Sequence, residues 1–93
     1  MPMKRIQATV YGRVQGVNFR YYTQREALRF NLTGWVANQS DGSVAVVAEG
    51  SETDLKKLLE FLHMGSPASQ VDKVDYQWGD PTNKFYRFSV RYQ

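Results

Sequence analysis

The sequence predicts an α+β fold in which two helices cover one face of a mixed, mainly antiparallel sheet. Two observations support this prediction. Five short segments have the apolar patterns of strands, and two others follow helical spacing, in the order β-α-β-β-α-β-β. The 93 residues, 42% of them hydrophobic, suffice for one core and are too few for two. We therefore expect a single domain over residues 1–93.

The first strand is predicted over residues 4–11, where Ile6, Ala8 and Val10 alternate with polar side chains. Gly12 and Gly16 then bracket a loop. From residue 19 to residue 31 the apolar positions fall on one face of a helix. The chain is expected to leave this helix at Gly34.

The next two strands are predicted to form a hairpin. Residues 35–38 and 43–49 are strand-like, and Asp41-Gly42 between them is a strong turn signal. The segment 43–49 is rich in valine and alanine, which is typical of a central strand.

The second helix has the clearest pattern in the chain. Ser51 is suited to cap its N-terminus, and four leucines follow at i, i+3, i+4 and i+7 spacing: Leu55, Leu58, Leu59 and Leu62. Gly65-Ser66-Pro67 ends it. Two further strands are predicted at 71–78 and 85–92.

This order is close to the split βαβ arrangement of ferredoxin-like folds, with an additional strand. A right-handed crossover through the first helix makes the first two strands parallel. The loop 12–19, Arg20 and Asn38 should then meet at one edge of the sheet. The Asp41-Gly42 turn should lie at that edge too.

The segment from Gly12 to Arg20 joins a strand to a helix and could cradle an anion. Glycines allow successive backbone N–H groups to converge, and the helix N-terminus adds free donors and a partial positive charge. Arg20 adds a planar guanidinium that can hold phosphate oxygens in a bidentate manner. From these residues alone, a plain strand-to-helix turn with a surface arginine remains an alternative.

The motifs Gly12–Arg20 and Gly34–Val44, followed by Glu49-Gly50, resemble the acylphosphatase signature, and the similarity extends from about Lys4 to Tyr92. The resemblance implies hydrolysis of the carboxyl–phosphate bond of small acyl phosphates to a carboxylate and inorganic phosphate, without a cofactor. It also implies that Arg20 binds the phosphate and that Asn38 orients the nucleophilic water.

The same resemblance implies that backbone groups of the segment Gln15, Gly16, Val17, Asn18 and Phe19 form the phosphate cradle. Asn18 departs from the family pattern, which usually has glycine at this position. Asparagine tolerates the left-handed backbone conformation better than most residues, so we expect the loop to form.

Two kinds of binding domain are the alternatives to an enzyme. Some ferredoxin-like domains bind RNA by stacking bases on aromatic side chains of a central strand. The segment 43–49 has no aromatic residue, so we expect no nucleic-acid partner. The remaining alternative is a non-catalytic domain of the same fold that binds anions or a partner protein.

Composition also bears on cofactors and location. The chain has no cysteine and one histidine, His63, so no metal site is expected. No apolar run is long enough to span a membrane, and no signal peptide is expected behind Met1–Arg5. We expect a cytoplasmic monomer.

Overall fold

Seven elements of secondary structure follow one another in the computed structural model, which describes residues 3–92. Their order is the predicted one. They are β1 (Met3–Arg13), α1 (Phe19–Arg29), β2 (Thr33–Asn38), β3 (Val44–Ser51), α2 (Glu52–Met64), β4 (Gln70–Gly79) and β5 (Phe88–Arg91).

The strands form one sheet in the order β4-β1-β3-β2-β5. The central strand β3 lies antiparallel to both neighbours, and its first residue, Val44, pairs with Val10 of β1 and with Asn38 of β2. The strands β1 and β2 therefore run in the same direction, as the crossover rule predicts. Because β5 is parallel to β2, the sheet is mixed. The predicted ferredoxin-like fold is confirmed.

Both helices pack against the sheet and bury the predicted apolar residues. The four leucines of α2 are buried, and so are Ile6 and Val10 of β1 and Val36 of β2. Burying a side chain of this kind contributes about 1.5–3 kcal/mol. The N-terminus of α2 is capped as predicted, since Ser51 Oγ accepts a hydrogen bond from the Asp54 N–H at 3.2 Å.

The end of the first helix differs from the prediction. The helix α1 ends at Arg29, and the chain turns at Asn31, whose φ of 58° lies in the left-handed region. Gly34, which was predicted to end the helical region, is instead the second residue of β2. Its φ is 139°, and a Cβ placed there would overlap the carbonyl oxygen of Val47. This glycine therefore permits the close approach of β2 and β3.

The last strand is shorter than predicted. We expected residues 85–92 to be extended, but β5 comprises only Phe88–Arg91, and the side chain of Tyr86 is 96% exposed. The reason is topological, because β4 and β5 are the two edge strands and the chain must cross the whole sheet between them.

Glu49 anchors this crossing segment at the end of β3 away from Val44. Its buried carboxylate accepts hydrogen bonds from Arg5 and from backbone N–H groups of Thr82 and Asn83. The hydroxyl of Thr82 donates a further bond. Burial raises the pKa of Glu49, but these hydrogen bonds together outweigh it and hold the pKa below its ordinary value.

Candidate active site

The loop between β1 and α1 combines buried anchors with left-handed residues. Val14 and Phe19 are each 1% exposed and fix the two ends of the loop in the core. Between them Gly16 has a φ of 74° and Asn18 a φ of 60°. Asn18 thus adopts the backbone conformation expected of it, and α1 begins at the following residue.

The N-terminus of α1 is electrostatically different from that of α2. The side chain of Asn18 does not cap α1, and no acidic residue lies in the first turn of this helix. The helix α2, by contrast, is capped by Ser51 and carries Glu52 and Asp54 in its first turn. The free N–H groups and the positive end of the α1 dipole are therefore available to an anion.

Arg20 is the second residue of α1. Its guanidinium lies over the ring of Tyr92, with 4.8 Å between Cζ and the ring centroid, and Nη1 donates a long hydrogen bond of 3.4 Å to the Arg91 carbonyl. Arg5, Arg25 and Arg29 form ion pairs with glutamates, whereas Arg20, like Arg13, Arg87 and Arg91, pairs with no acidic side chain of residues 3–92. Its guanidinium is held in place without an acidic partner among these residues.

Asn38 is the last residue of β2. Its Oδ1 is the one buried side-chain oxygen or nitrogen in the described part of the chain that lacks a hydrogen-bond partner. A buried acceptor with neither a protein partner nor a water costs about 1–3 kcal/mol in desolvation. Asn38 is therefore a candidate for a role beyond folding.

Residues other than Asn38 make the hydrogen bonds of the hairpin turn that follows it. Gln39 N–H donates to the Ser43 carbonyl at 2.8 Å, and Gln39 Nε2 donates to Ser43 Oγ at 2.9 Å. Asp41 accepts hydrogen bonds from the hydroxyl and the N–H of Ser43, which lower the pKa of its carboxyl. Asp41 is thus engaged in the turn, and Asn38 is not needed there.

A cavity of about 410 Å³ brings Arg20 and Asn38 together. Ten residues line it: Val14, Gly16, Asn18, Phe19, Arg20, Tyr21, Gln24, Asn38, Val90 and Tyr92. Arg20 is the one charged residue among the ten, and none of them carries a carboxylate, imidazole or thiol. The cavity therefore favours an anion and offers neutral hydrogen-bonding groups beside it.

Comparison with known proteins gives the family. The acylphosphatase family model matches residues 6–90. An acylphosphatase of Salinibacter ruber is 48% identical over 88 residues, which cover 95% of this chain and 93% of that protein. The chain belongs to the acylphosphatase family. The predicted family and enzyme class are thereby confirmed.

Solved acylphosphatase structures show the same architecture. The crystal structure of acylphosphatase from Bacillus subtilis superimposes with a TM-score of 0.92 at 40% identity, covering 96% of this chain and 99% of that chain. The acylphosphatase from Coxiella burnetii gives a TM-score of 0.90 at 37% identity, covering 97% and 94% of the two chains.

Two residues of the predicted acylphosphatase cradle do not line the cavity. The side chain of Val17 packs against the core, and that of Gln15 donates to the carbonyl oxygens of Gln39 and Ser43 at 2.8 and 2.9 Å. Gln15 thereby ties the loop between β1 and α1 to the hairpin that carries Asn38. The predicted role of these two residues concerns their backbone groups, and it stays a prediction.

Four lining residues were missed by the sequence analysis. Tyr21 and Gln24 follow Arg20 on α1, and helical spacing from Arg20 could have indicated Gln24. Gln24 Nε2 donates to the Phe88 carbonyl at 3.0 Å, which joins α1 to β5. Val90 and Tyr92 reach the cavity only because β5 pairs with β2, and no local pattern carries that information.

Within residues 3–92 no three His, Cys, Asp or Glu side chains gather in a way that could hold a metal ion. His63 lies near the end of α2, where its ring Nδ1 is 2.8 Å from the Leu59 carbonyl oxygen. Neither helix of residues 3–92 has the length and apolar character required to span a bilayer.

Proposed function

We propose that this acylphosphatase binds the phosphate of its substrate through Arg20 and the backbone of Gln15–Phe19, and that Asn38 orients the attacking water. The observation that carries the proposal is that Arg20 and Asn38 line one cavity, in which Arg20 is the one charged residue, and that no group of residues 3–92 bonds Asn38 Oδ1. The Arg20 guanidinium is suited to an anion, and Asn38 Oδ1 is suited to a hydrogen-bond donor beside that anion.

Phosphate binding follows from the loop and the arginine. The guanidinium offers a planar set of N–H donors, and its stacking on Tyr92 limits its motion. The N–H groups at the start of α1 converge on the same region. Phosphoryl transfer depends mainly on positioning and on stabilising charge at the equatorial oxygens, which these donors supply.

Water orientation follows from Asn38. Its carboxamide is neutral at every working pH, and Oδ1 can accept a hydrogen bond from water. A water held in this way directs a lone pair at the phosphorus of a phosphate bound by Arg20. Placing a nucleophile by a fixed hydrogen bond converts an encounter in solution into an oriented attack.

The leaving group explains why no general acid is required. The water oxygen bonds to phosphorus, the bond between phosphorus and the acyl oxygen breaks, and its electron pair stays on the carboxylate. A carboxylic acid has a pKa of about 4, so the carboxylate departs without protonation. The proton of the water passes to a phosphate oxygen, and the products are a carboxylate and dihydrogen phosphate.

We also propose that the enzyme works as a monomer in the cytoplasm. Arg20 and Asn38 line one cavity of a single chain, so the proposed mechanism requires no residue of a second copy. The absence of cysteine from the sequence is compatible with a reducing compartment.

Phosphate release from acetyl phosphate, measured with and without a chelator, tests the proposal together with the variant Arg20→Gln. We expect turnover that the chelator does not diminish. Inorganic phosphate at about 100 times its Kd should stabilise the wild type by about 2.7 kcal/mol. Arg20→Gln should abolish both turnover and this stabilisation, and Arg20→Lys should restore little, because an ammonium cannot form the planar fork.

Arg25→Gln is the matched control. Arg25 lies on the same helix but pairs with Glu26 and stacks on Tyr22, away from the cavity lining. It should keep turnover and phosphate binding. Equal phosphate binding by Arg20→Gln and wild type would contradict the assigned site, and binding without any turnover by the wild type would favour a non-catalytic domain.

A further inference from the structure

The turn that follows α2 contacts the loop between β1 and α1, called the phosphate loop below after its proposed function, from outside the cavity. Ser66 is 3% exposed, and its Oγ donates a hydrogen bond of 2.8 Å to the carbonyl oxygen of Val17. The two residues are 49 positions apart in the chain. Ser66 does not line the cavity, so any effect on substrate must pass through the loop.

The geometry of the peptide unit determines what this bond does. The Val17 carbonyl and the Asn18 N–H belong to one planar peptide group, and no peptide bond in the described residues is cis. In a trans peptide the C=O and the N–H point in opposite directions. By holding the Val17 carbonyl, Ser66 turns the Asn18 N–H away from itself, and Asn18 lines the cavity.

The turn itself is rigid enough to serve this purpose. The N–H and the hydroxyl of Ser69 both donate to the Ser66 carbonyl, at 3.0 and 2.7 Å. Gly65 has a φ of 77°, and a Cβ added there would overlap Ser69 Oγ and lie 3.2 Å from the ring of Phe19. Glycine at this position therefore lets the turn pack closely against the start of α1.

We propose that Ser66 is a positioning residue for the phosphate loop, which it holds with the Asn18 N–H directed at the bound phosphate. The proposal rests on the proposed function, in which the loop N–H groups bind phosphate. Without the hydroxyl, the peptide between Val17 and Asn18 is free to rotate, and one donor of the cradle is no longer preorganised. The role is distinct from packing because it predicts a change in anion affinity.

The variants Ser66→Ala and Ser66→Cys test this role. Cysteine has nearly the shape of serine but is a weak donor, so it keeps the packing if alanine impairs folding. For the folded fraction of each variant we expect the inhibition constant of inorganic phosphate to rise about 10-fold. The kcat/KM for acetyl phosphate should fall by a similar factor. The amide resonance of Asn18, which phosphate should shift in the wild type, should respond less in both variants.

Ser51→Ala is the control because it also removes a serine hydroxyl, which bonds the N–H and the carboxylate of Asp54 at the opposite end of the sheet. It should lower stability and leave the phosphate inhibition constant unchanged. Unchanged phosphate affinity in both Ser66 variants, or an equal loss of affinity in Ser51→Ala, would overturn the inference. Arg20→Gln separates the two proposals: if it loses phosphate binding while the Ser66 variants keep it, only the role of Ser66 is wrong.

Discussion

Replacing Asn38 with alanine should separate catalysis from stability. No hydrogen bond within residues 3–92 depends on Asn38 Oδ1, so removing it breaks none of the bonds that hold the fold. We expect a free energy of unfolding within about 0.5 kcal/mol of the wild-type value. The loss of the group that orients water should lower kcat by about 100-fold or more, equivalent to about 2.7 kcal/mol of barrier.

Gln39→Ala is the matched comparison for this variant. Gln39 is the next residue, and its side chain donates to Ser43 within the hairpin. Losing this bond should cost about 1 kcal/mol, or about 4–8 °C in Tm for a domain of this size, with kcat nearly intact. The assay is kcat, the phosphate inhibition constant and Tm on the same preparation of each variant. If Asn38→Ala were destabilised like Gln39→Ala and turned over normally, Asn38 would have no catalytic role.

Two further predictions concern stability away from the cavity. Folding lowers the pKa of Glu49, so the stability that this carboxylate contributes is complete above its ordinary pKa of about 4.3 and is lost as the pH falls through the lowered value. Thermal unfolding between pH 7 and pH 3 should show this loss in the wild type and much less of it in Glu49→Gln. Glu49→Gln should retain the wild-type phosphate inhibition constant. Gly34→Ala should lower the free energy of unfolding by more than about 2 kcal/mol, measured by urea unfolding, because the added Cβ would overlap the Val47 carbonyl. In the control Gly79→Ala nothing lies within 4 Å of the added Cβ, so the free energy of unfolding should be nearly unchanged.

Local patterns in the sequence were sufficient for the order of the elements. The helical spacing of Leu55 and its three partners and the Ser51 cap predicted α2 because both signals act within a few residues. Asn18 was expected to adopt a left-handed backbone for a reason intrinsic to asparagine, and it does so. Crossover rules placed Arg20 and Asn38 at one edge of the sheet, and one cavity contains both.

The first helix shows where such patterns were misleading. Gly34 was interpreted as a helix end because glycine often has that role. The chain turns three residues earlier at Asn31, and the glycine is required by a neighbouring strand instead. A glycine in the sequence indicates an unusual backbone conformation or a close approach of two chain segments. It does not indicate which of the two occurs or which segment approaches.

By itself the sequence determined the order of the elements and the family, because both can be read from short runs of residues that are close together in the chain. Only the tertiary structure decided that Tyr92 stacks on Arg20, that Ser66 holds the Val17 carbonyl and that Glu49 anchors the crossing segment. Each of these contacts joins residues more than 30 positions apart. Their geometry follows from strand register and from the packing of the helices on the sheet, which no single segment of the chain specifies.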